Sequence, residues 1–277
     1  MKAVISTNYD PKYIFFMPIV AWCWNKLGVE VVFLSPRTGS SKSLHLFEFV
    51  RNWVQIVHSQ LNYYRFFDVP TENHEVTYTQ VSRLFAAAAF HPDCENEVFV
   101  TSDIDMAVFQ VPPHDLNGVF SVFGADLVPP RQYPMCYVSA TASAWRKVFV
   151  KGRTLQQCLD DALAAENCEN MRGNLWSRDQ ELLHDGIELT EAILYFNRAK
   201  EGTQFATKRV DRDNQFWYED LVNGGAGIVD AHLWRPGYTE ENVQKIVALL
   251  HIICPNEAFD WLWEYAAKFR EILNQQQ

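Results

Sequence analysis

Asp103-Ile104-Asp105 follows directly on the apolar run Val98-Phe99-Val100. Two carboxylates one residue apart, at the end of a buried strand, can grip a divalent cation. The edge of an α/β sheet is where such folds place ligands. The tripeptide alone is common and is often a solvated loop. Here the acids stand between a β-branched, aromatic strand and a second apolar run, Met106-Ala107-Val108-Phe109, which argues that they are held in place. Three further segments carry chemistry. In Ser6-Thr7-Asn8-Tyr9, small polar residues leave the backbone free to meet a nucleotide, and Tyr9 can stack on a base. The plainer account is a turn with Asn8 or Asp10 as a helix cap. In Trp176-Ser177-Arg178-Asp179-Gln180-Glu181, acids at a helix start can face a cleft. Asp179 is the first candidate for a general base and Glu181 the second, against helix capping as the plainer role. In Ile228-Val229-Asp230-Ala231-His232-Leu233-Trp234-Arg235, a histidine ends a strand-like run and can ligate a metal. Arg235 beside it can neutralise phosphate oxygens. A lone histidine is more often structural.

These residues need elements to hold them. Residues 2–6 read as a strand. From Pro11 to Leu27 the spacing predicts one helix with Ile14, Met17, Ala21, Trp22 and Trp24 on its apolar face, ended by Gly28. Val29 to Leu34 reads as a second strand. Leu44, Phe47, Val50, Val54 and Val57 recur at helical spacing, as do Tyr78, Val81, Leu84, Phe85 and Ala88. Gly118 to Phe123 and Met135 to Ala140 look like further strands. Strand-helix alternation of this kind predicts an α/β fold with a mostly parallel sheet covered on both faces. Two helices close the chain. Thr239 caps the first, and Asn256 is the expected cap of the second, which shows Phe259, Leu262, Trp263, Ala266 and Phe269.

Composition narrows the partners. The 277 residues are 48% hydrophobic and 14% aromatic, enough for a large core. The net charge of −10, with no basic cluster, excludes nucleic acid as a favoured partner. No run of about 18 apolar residues is present, so no membrane span is expected. The N-terminus enters a strand at once and does not read as a signal peptide, so a soluble, cytoplasmic protein is the expectation. The six cysteines are scattered, with neither CxxC nor zinc-site spacing, which fits reduced thiols.

The order of the pieces resembles a GT-A-fold glycosyltransferase: a strand-loop near the N-terminus, a DxD after a mid-chain strand, an Asp-Gln later, and a late histidine before Arg-Pro-Gly. The resemblance is at superfamily level. It covers residues 1–237 as a catalytic domain, with 238–277 a helical extension packed on it. It implies a GT-A-like, Rossmann-type sheet and transfer of a sugar from a UDP- or GDP-sugar to a hydroxyl of a glycan or other acceptor. Mn²⁺ or Mg²⁺ would bridge the donor phosphates. Asp105 would be the main metal ligand, Asp103 would reach the ribose or the metal, and His232 would complete the set. Asp179 would face the sugar carbon, and Arg83 would contact the donor or the acids. Thr7, Asn8, Tyr9 and Arg235 would meet the nucleotide. An inverting reaction is slightly favoured, with Asp179 or Glu181 taking the acceptor's proton. Gln132, Tyr133, Ser139, Thr141, Trp145 and Trp176 offer hydroxyl, amide and aromatic surfaces of the kind an acceptor sugar uses, against core packing as the plainer role for most of the aromatics.

Rival readings stay open. A haloacid-dehalogenase-like phosphatase also places DxD after a strand, with the first acid as nucleophile. Its acids usually stand near the start of the chain, and Met106-Ala107 occupies the place of its usual following residues. A nucleotidyltransferase lacks support, since no glycine-rich phosphate loop with a lysine stands near residues 6–12. A non-catalytic nucleotide-sugar-binding protein would carry the same residues.

Overall fold

The computed structural model describes residues 1–37, 41–57, 62–69, 75–112, 114, 119–125, 128–164, 177–195, 208–213, 217–224 and 228–276. The strands are β1 (Lys2–Ser6), β2 (Glu30–Pro36), β3 (Tyr63–Phe67), β4 (Val98–Ser102), β5 (Met106–Val108), β6 (Phe120–Phe123), β7 (Val138–Thr141), β8 (Ala192–Tyr195), β9 (Lys208–Val210) and β10 (Ile228–His232). The helices are α1 (Pro11–Ile14), α2 (Met17–Lys26), α3 (Ser41–Val57), α4 (Glu75–Ser82), α5 (Ala142–Trp145), α6 (Leu155–Ala162), α7 (Arg178–Ile187), α8 (Trp217–Gly224), α9 (Glu240–Ile253) and α10 (Asp260–Gln276). A 3₁₀ segment, Arg83–Ala89, continues α4.

Seven strands form the central sheet in the order β3-β2-β1-β4-β7-β6-β8. Its pairs are parallel except those made by β7 with β4 and β6. The architecture is α/β: a mostly parallel, Rossmann-type sheet flanked by helices. Strands β1 and β4 are buried along their whole length, which is why both read as nearly continuous apolar runs. The pleat then sorts the side chains. Ala3, Ile5, Val31 and Phe33 enter one core with α2, α3, α9 and α10. Val4, Val32, Leu34 and Phe99 enter the other, beneath Val81, Leu84, Trp145, Leu159 and Leu183.

The closing helices belong to the first core. Phe15 stacks on Tyr265 at a centroid distance of 5.0 Å, and the Tyr265 hydroxyl donates to the Phe15 carbonyl at 3.0 Å. Burying an aromatic of this size contributes roughly 1.5–3 kcal/mol. Thr239 caps α9, accepting from the Asn242 N–H. The second expected cap is corrected: Asn256 lies in a turn, and α10 begins at Asp260. The Phe259 carbonyl accepts the first turn's bond from Leu262, and the buried Phe259 ring sets where the chain can enter the helix.

The single helix expected over 11–27 is two. Pro18 stands at the start of α2, has no N–H to give and crowds the turn before it, so the chain breaks at Phe15-Phe16. The strand expected from Gly118 forms over Phe120–Phe123, with Gly118 outside the described residues. Three short strands make a second sheet, β5-β10-β9. Its antiparallel register sets His232 opposite Met106, one residue from Asp105. Leu233 N–H donates to the Asp105 carbonyl at 2.8 Å and ties the two segments. The five described cysteines, Cys23, Cys94, Cys136, Cys158 and Cys254, are free thiols. Among the described residues no helix is long and apolar enough to cross a membrane.

Candidate active site

From β1 the chain crosses to β2 and β3 on one side, while β4 lies on the other. The gap beyond the carboxyl ends of β1 and β4 is therefore the topological switch point, where open α/β sheets leave a crevice. A cavity of about 460 Å³ opens there. Ser6 at the end of β1, and Thr7 and Asn8 just after it, line one side, and Asp103, Ile104 and Asp105 line it from the loop after β4. Arg83, Asp179, His232 and Arg235 complete the wall from segments far apart in sequence. Of the ten expected site residues, Tyr9 and Glu181 are not among those lining the cavity.

Tyr9 is buried in the first core. Its hydroxyl donates to the Pro36 carbonyl at 2.5 Å, and its ring meets Phe47 edge-on at 5.0 Å. Base stacking by Tyr9 is thus corrected: its ring is held in the apolar core by Phe47 and its hydroxyl by Pro36, while Thr7 and Asn8 stay at the cavity wall. The Asn8 side chain accepts from the Asp10 N–H at 3.3 Å, and Asp10 accepts from Lys12 at 2.8 Å, capping α1. Glu181 stands 3.9 Å from Arg178. Two residues apart on a helix are about 200° apart around it, so Glu181 cannot share the face of Asp179.

Arg83 is the hub of the acids. Its side chain is 7% exposed and reaches Asp103 Oδ1 at 2.5 Å and Asp179 Oδ2 at 2.8 Å. It also donates to the carbonyls of Ser102 at 3.2 Å and Gln80 at 3.3 Å. Burial by itself raises the Asp103 carboxyl, but the Arg83 guanidinium, backed by His232 and Arg209, outweighs it and holds the group below the usual carboxylate range. Asp179 goes the other way. Burial and the neighbouring Asp103 charge push its carboxyl up against the pull of Arg83. Asp179 Oδ1 accepts from the Gln180 N–H at 2.9 Å, so the capping role is present as well. The N-cap residue Ser177 makes no side-chain cap, and Asp179 answers an orphan donor of α7 in its place.

Asp105 has its own cations. Arg212 Nη1 lies 2.5 Å and Arg235 Nε 3.3 Å from the same oxygen, Oδ2. Arg235 also donates to the Tyr13 hydroxyl at 2.7 Å and lies over the Tyr13 ring, 5.2 Å from its centre. The turn that carries Arg235 is pressed onto the core. A methyl at Gly237 would meet Phe16 Cε1 at 2.5 Å and Phe15 Cδ1 at 2.7 Å. His232 Nδ1 stands 3.9 Å from Asp211.

The divalent cation implied by the resemblance meets a suitable donor set. Asp103, Asp105 and His232 bring hard oxygens and an imidazole to one cavity. These side chains are not gathered as a ligand shell here. Among the described residues no three His, Cys, Asp or Glu groups stand close enough to hold an ion, and both carboxylates are engaged by guanidinium groups.

Of the acceptor candidates, the described aromatics take the plainer, core role, and the polar ones stand away from the cavity. Trp145 is buried and donates to the Phe99 carbonyl at 3.3 Å. Thr141 caps α5, and Ser139 is buried in the sheet. Tyr133 packs on His184 at 5.0 Å. Neither Tyr133 nor Gln132 lines the cavity, and Trp176 lies outside the described residues. In their place stand Tyr13, Val76, Thr79, Gln80, Pro134 and Gln180. Arg212 was also missed. It sits between two aspartates in a turn after β9, a setting that reads as solvated loop.

Fold and site together are those of a doubly wound α/β scaffold with a charged crevice at its switch point. No protein-family model and no curated protein matches the chain. Among solved structures it is similar to the glycosyltransferase GlyE of Streptococcus pneumoniae TIGR4, at 10% identity and a TM-score of 0.45, over 99% of this chain and 62% of that one. It thus spans under two thirds of GlyE. It is also similar to the galactosyltransferase LgtC in complex with donor and acceptor sugar analogs, at 14% identity and a TM-score of 0.45, over 94% of this chain and 99% of that one. Likenesses this distant assign neither substrate nor mechanism.

Proposed function

We propose that this chain is a glycosyltransferase that moves a hexosyl or pentosyl unit from a UDP- or GDP-sugar to a hydroxyl of a glycan or other acceptor. One observation carries the reading. The switch-point crevice collects the β1 loop, the Asp103–Asp105 pair, Asp179, His232 and Arg235 in a single cavity of a size that suits a nucleotide-sugar. Asn8 offers its amide nitrogen to the nucleoside, and Thr7, tied to Leu34 through its N–H, holds that loop at the cavity wall. A leaving diphosphate develops negative charge, and Arg212 and Arg235 stand ready to meet it. Mn²⁺ or Mg²⁺, held by Asp103, Asp105 and His232, would supply further neutralisation of that charge. Arg83 keeps Asp103 ionised and holds Asp179 in place.

In this reading Asp179 takes the proton of the attacking hydroxyl in an inverting displacement. A carboxyl pushed up by burial is a better base than a solvated one, because its pKa approaches the working pH. A thermal-shift panel of nucleotide-sugars, each with and without Mn²⁺, tests the donor class, since a ligand of the native state raises its melting temperature. No shift with any nucleotide-sugar refutes it. Asp179→Asn should lose about 10²–10⁴-fold in kcat while keeping donor affinity, and its melting temperature should fall because Arg83 is left one carboxylate short. Normal turnover by this variant would leave Asp179 as a structural partner of Arg83 alone.

A further inference from the structure

We propose that Arg212 and Arg235 form a partner-exchanging anion clamp: paired with Asp105, as here, or with the oxygens of a diphosphate, in which case Asp105 is released to a divalent cation. The inference rests on the donor reading above in taking a diphosphate as the ligand. Its foundation is a mismatch of charge. Two guanidinium groups converge on one oxygen, Asp105 Oδ2, at 2.5 and 3.3 Å. The carboxylate cancels one of the two positive charges. The acid is the deeper partner, with its side chain 8% exposed against 21% for Arg212 and 30% for Arg235. Over the whole lining Asp10, Asp103, Asp105 and Asp179 face Arg83, Arg212 and Arg235, so the positive excess is local to this pair, and the two arginines, as its more exposed members, offer it to an anion in the cavity.

Both arginines have second, uncharged anchors. Arg212 donates to the Leu233 carbonyl at 3.4 Å, and Arg235 to the Tyr13 hydroxyl at 2.7 Å. Either guanidinium can leave Asp105 without leaving the site. Asp105 itself stays put, because its carbonyl is bonded to Leu233 N–H and the β5–β10 ladder begins beside it. Arg83 is different. It is buried and shared between two carboxylates and two carbonyls, so it holds its place while the outer pair exchanges.

Exchange has a thermodynamic consequence. A cation arriving at Asp105 meets two like charges and binds poorly. A diphosphate accepts from planar guanidinium forks in the bidentate geometry that suits them and draws them off. Cation and diphosphate must then favour each other, and reciprocally so.

The test is isothermal titration on the full chain with Mn²⁺ alone and with inorganic pyrophosphate in the presence of a chelator. Arg212→Met and Arg235→Met should each bind pyrophosphate about tenfold more weakly, the worth of one charged hydrogen bond, and Mn²⁺ alone about tenfold more tightly. The opposite signs are the signature, since a merely structural role weakens both. Parallel losses, or an unchanged Mn²⁺ affinity, overturn the proposal. If Arg212→Met does not fold, Arg212→Lys decides. It keeps the charge but not the fork, so pyrophosphate binding should fall several-fold while Mn²⁺ binding stays weak, and an unchanged pyrophosphate affinity overturns the clamp. Failure of every nucleotide-sugar to shift the melting curve, with the exchange signature intact, would sink the donor reading and leave the clamp standing.

Discussion

Replacing Arg83 by methionine removes the guanidinium that lies between Asp103 and Asp179. The lost contacts are the ion pairs at 2.5 and 2.8 Å and the bonds to the Ser102 and Gln80 carbonyls. Methionine fills a similar volume, so the cost is electrostatic. Removing one partner of a buried ion pair costs about 3–5 kcal/mol, because the other charge stays behind. At roughly 2–4 °C per kcal/mol for a large domain, the melting temperature should fall by about 6–20 °C near neutral pH. The pH dependence has a definite sign. In the parent protein Arg83 holds the Asp103 carboxyl below the usual aspartate value, so its stabilisation is present above that value and is lost as pH falls through the lower, folded one. Burial raises the Asp179 carboxyl above the usual aspartate value, so it disfavours the fold once pH has risen past that ordinary value, and fully so above its folded one. Without Arg83, burial and mutual repulsion raise both carboxyls. The folded variant then binds more protons than its unfolded chain at mildly acidic pH, and it regains stability as pH falls. The gap between parent and variant should narrow from about pH 7.5 to about pH 5. Melting curves by circular dichroism at the two pH values measure it. A fall below about 2 °C, or an equal fall at both pH values, refutes the placement of Arg83 between the buried Asp179 and the half-buried Asp103.

Two further outcomes check the site's supports. Tyr9→Phe removes the hydroxyl bonded to Pro36 and should lower stability by about 0.5–1.5 kcal/mol in a urea melt. Because the ring faces Phe47 and not the cavity, the affinity for any nucleotide should be unchanged. Gly237→Ala drives a methyl into Phe15 and Phe16 and should cost about 1–3 kcal/mol, read by the same melt. Since that turn carries Arg235, pyrophosphate affinity should fall too, and an alanine variant of parental stability would show that the turn is not tightly packed.

The elements built on long periodic runs were legible in the sequence. Strands β1 and β4 are buried on both faces, and α3 repeats Phe47, Val50 and Val54 at helical spacing, so each declares itself locally. Short and half-buried elements did not. β5 and β9 have three residues each, and β3 is an edge strand with Arg65 at its centre and little burial to leave a pattern. The chemistry of the site divides the same way. That Asp103 and Asp105 end a buried strand follows from local sequence, because the apolar run before them can only be a strand in the core. Which partners these acids take is a matter of strand order alone. The crossover from β1 to β2 and the pairing of β1 with β4 open the crevice, and the β5–β10 ladder carries His232 and Arg235 to it. Arg83 and Asp179 stand 96 positions apart, and Asp105 and Arg212 stand 107 apart. No local pattern encodes a contact across such separations. The sequence determined which side chains could bind a charged ligand, and the tertiary structure decided that the acids would meet arginines there.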